Sequence, residues 1–180
     1  MRIRVADAVS KLVEQGALVR RRSNQSDRVI PHIADLIGQP LHEDLQDLYR
    51  EHIHSVGDYN FDLPYWNDWP GIGWHKSDYW VKNLLHVQAV PIAGDDSGNY
   101  YGVDLSGDDY PAVYIFDHER NYEIEACVGS SIGAFLLILA KEDQAHDESW
   151  PEGWQLKIDP DIEKCPRAPP PWKVPLPWAR

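Results

Sequence analysis

The sequence predicts a small domain in which helices flank an antiparallel meander, and three observations carry that expectation. Residues 41–53 place Leu41, Leu45, Leu48, Tyr49 and His52 on one face at helical spacing. Residues 99–128 hold three short apolar-rich runs separated by turn residues, the pattern of consecutive antiparallel strands. Residues 130–141 then form an apolar stretch opened by a serine pair, which marks a capped and buried helix. A chain of 180 residues fits one domain with tails or an elaborated loop, and it can bury a core without staples.

Taken in order, residues 5–19 carry Val5, Ala8, Val9, Leu12, Val13 and Ala17 at helical spacing, with Gly16 weakening the end. Arg20, Arg21 and Arg22 follow, near the negative pole of such a helix. Residues 23–27 read as a polar loop. Pro31 opens another short segment, which Gly38, Gln39 and Pro40 break. In the helix over 41–53, Glu43 and Asp44 occupy the first turn, where acids suit the dipole, and Gly57 and Asp58 follow as a turn.

Residues 59–80, YNFDLPYWNDWPGIGWHKSDYW, hold four tryptophans, three tyrosines and one phenylalanine. Pro64, Pro70, Gly71 and Gly73 exclude a long regular element there, so the segment reads as an aromatic-rich loop. Two uses stand for it: core that thickens the domain, or an aromatic anchor for a partner. Residues 84–92 alternate as a strand does. Strands follow over 99–105, 112–117 and 122–128, with Gly107, Asp108 and Asp109 in one turn and Glu119, Arg120 and Asn121 in the next. In the helix over 130–141, apolar residues run round most of the circumference, so burial against the sheet is expected. The end of the chain, CPRAPPPWKVPLPWAR, favours extended polyproline-like backbone, while Trp172 and Trp178 call for cover. The expected organisation is a helical segment over 1–39, a core over 40–144 with a Trp-rich insertion at 59–80, and an acidic then Pro-rich arm over 145–180.

The net charge is −12, unevenly spread. Residues 1–40 carry a net +3, residues 41–163 a net −19, and residues 164–180 add four basic side chains and no acid. An acidic body repels phosphate backbones, which argues against nucleic-acid binding, and it attracts basic proteins. No apolar run reaches the roughly 18 residues of a membrane span. The N-terminus has charge scattered through it and no signal-peptide core. The cysteines, Cys127 in an apolar strand and Cys165 in the Pro-rich end, lack zinc-site spacing, and two cysteines make no disulfide scaffold. A free buried thiol at Cys127 and a reducing, cytoplasmic compartment are therefore expected.

No catalytic, cofactor or metal motif is legible. Residues 95–99, Asp-Asp-Ser-Gly-Asn, lack the lysine and spacing of a phosphate loop and the alternate acids of a calcium loop, and read as a hairpin turn. The histidines at 52, 54, 75, 86 and 118 lack metal-ligand spacing. Asp117, His118 and Glu119 suggest an acid–base group, with Cys127 as a nucleophile beside His118, but no flanking motif supports the pair.

The run AGDDSGNYYGVDL at 93–105 resembles the signature of the SUKH superfamily, that of the SMI/KNR-type cell-wall assembly regulator domain. PAVYIFDHE at 111–119 is similar to the strand that follows in that family. SIGAFL at 131–136 resembles its terminal helix, and PLHEDLQDLY at 40–49 its early helix. These pieces occur in the family's order over roughly 40–144. The longer Trp-rich segment and the Pro-rich end depart from the pattern. The resemblance implies an α+β fold, a mostly antiparallel sheet flanked by helices. It implies no enzyme activity, but an immunity protein that binds and neutralises a cognate toxin, often a nuclease; the eukaryotic relatives are regulatory scaffolds. The contact candidates come from surface chemistry rather than from the family: Asp95, Asp96, Asp108 and Asp109 at strand-end turns, and Trp66, Trp69 and Trp74 as anchors. A regulatory scaffold is the alternative reading, and a small hydrolase using His118 or Cys127 is a third.

Overall fold

Val5, Ala8, Val9 and Leu12 recur at helical spacing, and all four are buried in helix α1 (Val5–Glu14). The computed structural model describes residues 2–20, 26–51, 53–56, 59–60, 86–94, 99–105, 112–143 and 151–174. α1 is shorter than the periodicity suggests. Gly16 takes φ +68°, a left-handed conformation that costs glycine little, and the chain turns there into strand β1 (Leu18–Arg20).

Helix α2 (Ser26–Ile37) begins before Pro31 and contains it. This differs from the expectation that the proline opens the segment; inside the helix Pro31 has no N–H to donate to the preceding turn. Helix α3 (Glu43–Arg50) ends earlier than expected, because Ile53 is committed to strand β2 (Ile53–Val56) and is buried there. The Nδ1 of His42 caps α3 by accepting the Asp44 N–H at 3.2 Å.

The remaining strands are β3 (Tyr59–Asn60), β4 (Ala89–Gly94), β5 (Tyr100–Asp104), β6 (Val113–Asp117) and β7 (Glu123–Gly129). They form one antiparallel sheet of seven strands in chain order. β4 starts later than the alternation over 84–92 predicts, because Gln88 takes φ +58° and ends the preceding turn. The sheet and the four α-helices among the described residues make an α+β fold.

Strand alternation divides the sheet's two faces. Tyr101, Val103 and Val113 face the helices, in one core with Leu12, Leu45 and Phe135, and the Tyr101 and Phe135 rings lie 5.2 Å apart. Tyr114, Phe116 and Cys127 belong to a second core with Ile162 and Ala168, beyond the last helix. Gly102 sits under Phe116: a Cβ there would come within 2.5 Å of the ring, so the Tyr-Tyr-Gly run ends on the residue that the second core requires.

Helix α4 (Ile132–Asp143) closes the fold. The Ser131 hydroxyl accepts the Ala134 N–H at 3.2 Å and donates to the Ile3 carbonyl at 3.0 Å, so one side chain caps α4 and ties down the N-terminus. A Cβ on Gly133 would meet the Ile3 carbonyl oxygen at 2.5 Å and that of Arg4 at 2.6 Å. The backbone of residues 3–4 therefore lies directly on the first turn of α4.

Candidate functional site

Asp95, Asp96, Asp108, Asp109, Trp66, Trp69 and Trp74, along with most of the aromatic-rich segment, lie outside the described residues. The strand ends to which the two acidic turns attach are described. Gly94 and Asn99 lie at one end of β5, and Leu105 and Ala112 at the other. At the first end, the Asn99 side-chain oxygen accepts the His118 N–H at 3.3 Å and lies 3.1 Å from its Nδ1. His118 thus ties the β6–β7 turn to the start of β5.

The residues that build a site are those of the C-terminal arm, 151–174. The arm consists of short 3₁₀ turns, Trp154–Lys157, Ile162–Lys164 and Pro171–Lys173, rather than continuous extended backbone. Four attachments hold it. The buried Asp159 carboxylate accepts the Ser130 N–H at 2.6 Å and the Ser130 hydroxyl at 2.5 Å, placing negative charge beside the N-terminus of α4. The Pro169 carbonyl accepts the Cys127 N–H at 2.8 Å. Arg167 Nη1 donates to Asp104, which is 4 % exposed, at 2.9 Å, and to the Val87 carbonyl at 2.7 Å. The fourth attachment is a disulfide between Cys127 and Cys165, whose Cα atoms are 6.3 Å apart.

That bond corrects the expectation of a free thiol. Cys127 is buried, as its apolar strand suggests, but its sulfur is bonded and is no nucleophile for His118. It also removes the inference from free cysteines to a reducing compartment. The separation of 38 residues hid the pair, because only the path of the arm across β7 brings the two together.

Where β7, α4 and the arm meet, a cavity of about 260 Å³ opens to the surface. Its walls are largely apolar: Tyr101, Ile115 and Val128 from the sheet, Phe135, Ile138 and Leu139 from α4, Ile162 and Val174 from the arm. Its polar groups are Glu125, Glu142 and Gln155. The Gln155 Oε1 is buried and has no hydrogen-bond partner among the described residues. Glu125 is exposed and forms no ion pair among them. A buried acceptor without a donor is costly, so the cavity suits a group that brings N–H bonds on an apolar stem. No cluster of metal-ligating side chains occurs among the described residues.

Elsewhere several of the described acids are ion-paired. Asp44, 2 % exposed, pairs with Arg2 and lies 3.8 Å from Arg4; Glu43 pairs with Arg4, Asp47 with Arg50, and Glu51 with Arg20. Arg2, Arg4 and Arg20 thus pair with acids along α3 and at its C-terminal end. Burial raises the hydroxyl pKa of Tyr100 and of Tyr114 above the usual tyrosine value. The exposed Asp161 carboxyl is lowered by its hydrogen bond from Lys164. No helix among the described residues is long and apolar enough to cross a membrane.

The model of the SMI1 / KNR4 family (SUKH-1) matches the chain over residues 26–137. The match opens on α2 and ends within α4, so α1 and the arm lie outside it. No curated protein and no solved structure matches the chain significantly.

Proposed function

The chain belongs to the SMI1 / KNR4 family (SUKH-1), and from that premise we propose that it is a non-enzymatic bacterial immunity protein that binds a cognate toxin domain and blocks it. The observation that carries the reading is the family match, because SUKH domains are known for immunity proteins and are generally not enzymes. The net charge of −12 supports a basic partner, as a nuclease surface built for phosphates is, and steers its approach.

On this reading the partner is met by two sets of groups. Asp95, Asp96, Asp108, Asp109, Trp66, Trp69 and Trp74 are the contacts inferred from residue chemistry. The cavity beside Glu125 receives a lysine or arginine side chain, whose stem packs on Leu139 and Ile162 and whose N–H groups reach Gln155 and Glu125. The protein works in the cytoplasm of the cell it protects.

The test is affinity capture from the native host, followed by co-expression with any captured toxic protein. Immunity predicts that growth is rescued, that the complex weakens at raised salt, and that Glu125→Lys or Asp108→Lys lowers affinity. Capture of housekeeping partners alone, with no toxicity to neutralise, would instead mark a regulatory scaffold.

A further inference from the structure

α4 borders a second hollow on the side of α1. It is an open cleft of about 320 Å³, and Lys11 of α1, Lys141 of α4 and Lys157 of a 3₁₀ turn in the arm all line it. Between them lie Ile3, Leu137 and Ile158, with Gln15 at the rim. No carboxylate lines the cleft among the described residues.

This concentration of positive charge is unusual for the molecule. Acids outnumber lysines and arginines 29 to 17. Every arginine whose side chain is described forms an ion pair, as do Lys164 and Lys173. The other three described lysines line the cleft; Lys141 has a further interaction of its own, while Lys11 and Lys157 form no ion pair among the described residues. They come from three separate elements, so no local sequence pattern places them together. Like charges around one hollow repel, and an anion between them relieves the repulsion. Lysine ammonium groups are compact charges with rotatable donors, suited to a phosphate without fixed bidentate geometry. The volume exceeds what an inorganic ion needs and falls at the low end of small-ligand pockets, about 300–1,000 Å³.

We propose that this cleft binds a small organic phosphate monoester, with the phosphate among Lys11, Lys141 and Lys157 and the organic part over Ile3, Leu137 and Ile158. The site is separate from the cavity assigned to a protein partner, and it stands or falls independently of the immunity reading.

The test is a titration of the isotope-labelled full chain with phenyl phosphate, with phenol and inorganic phosphate as comparators, followed by amide NMR. Phenyl phosphate is expected to give saturable shifts at residues 11, 15, 137, 141 and 157, with phenol giving none and inorganic phosphate binding about tenfold more weakly. Lys11→Gln and Lys157→Gln should each weaken binding by about fivefold. Both side chains are exposed, so the thermal midpoint should not move. Absence of shifts at these amides, an equal response to phenol, or undiminished affinity in the double variant would overturn the proposal. So would inorganic phosphate binding as tightly as phenyl phosphate, since the apolar wall would then contribute nothing.

Discussion

The two hollows beside α4 are built from the same helix and the same arm, yet they carry opposite chemistry. On one side Phe135, Ile138, Leu139 and Glu142 meet Gln155 and Ile162, and the charged groups are carboxylates. On the other side Leu137 and Lys141 meet Lys157 and Ile158, and the charged groups are cations. The sorting follows from helix geometry, since residues one or two apart point in different directions. α4 is apolar almost all round because it has cover on more than one side. A net charge of −12 therefore describes the average surface and misses a basic cleft within it.

The arm is the element common to both hollows, and the strongest way to break the comparison is to release it. Arg167→Ala removes the Arg167 ion pair from the buried Asp104 carboxylate, and should cost about 3 kcal/mol in a urea unfolding experiment. With the disulfide, Asp159 and Pro169 still in place, the arm loosens at one of its four attachments, along the wall that both hollows share. Fluorescence of Trp154 and Trp172 reports whether the arm leaves before the sheet unfolds. A loss of only a few tenths of a kcal/mol in unfolding free energy would show that the pair holds nothing.

A loss of similar size is expected from the Cys127→Ser, Cys165→Ser double variant. The closed loop of 38 residues places the effect at about 2–4 kcal/mol, and thiol titration of the native protein checks that the bond is present. Because Asp159, Arg167 and Pro169 still hold the arm, the cavity beside Glu125 should persist in the double variant. Reduction of the bond would then lower stability without removing that cavity.

The smallest of the three separates the hollows. Gly133→Ala forces the backbone of residues 3–4 off α4, at a cost of about 1–3 kcal/mol in thermal or urea unfolding. Ile3 lines only the lysine cleft, so binding of phenyl phosphate should fall while the cavity beside Glu125 is unaffected. Loss of both together would mean that the hollows are one mechanical unit.

Helices α1, α3 and α4 and the β5–β7 meander were legible because each is written locally, whereas α2 was read only as a loop and a short segment. Tyr101, Val103 and Val113 alternate as strand residues do, and Ser131 precedes α4 as a cap does. Boundaries were harder. The helical period through Ala17 continues past the point where Gly16 reverses the chain, and Ile53 extends the face of α3 although it belongs to β2. Neither hollow was legible. Lys11, Lys141 and Lys157 are far apart in the chain, and Gln155 gave no signal in a segment read only as polar and acidic.

By itself the sequence determined the α+β class, the order of its principal elements and the family resemblance, because side-chain periodicity, turn residues and caps act over a few neighbours. The tertiary structure alone decided the Cys127–Cys165 bond, the Asp104–Arg167 pair and the two hollows of opposite chemistry. Each of these depends on the arm crossing β7 and reaching α4. Contacts between residues so distant in the chain leave no period in the sequence, and only the packed chain brings them within reach.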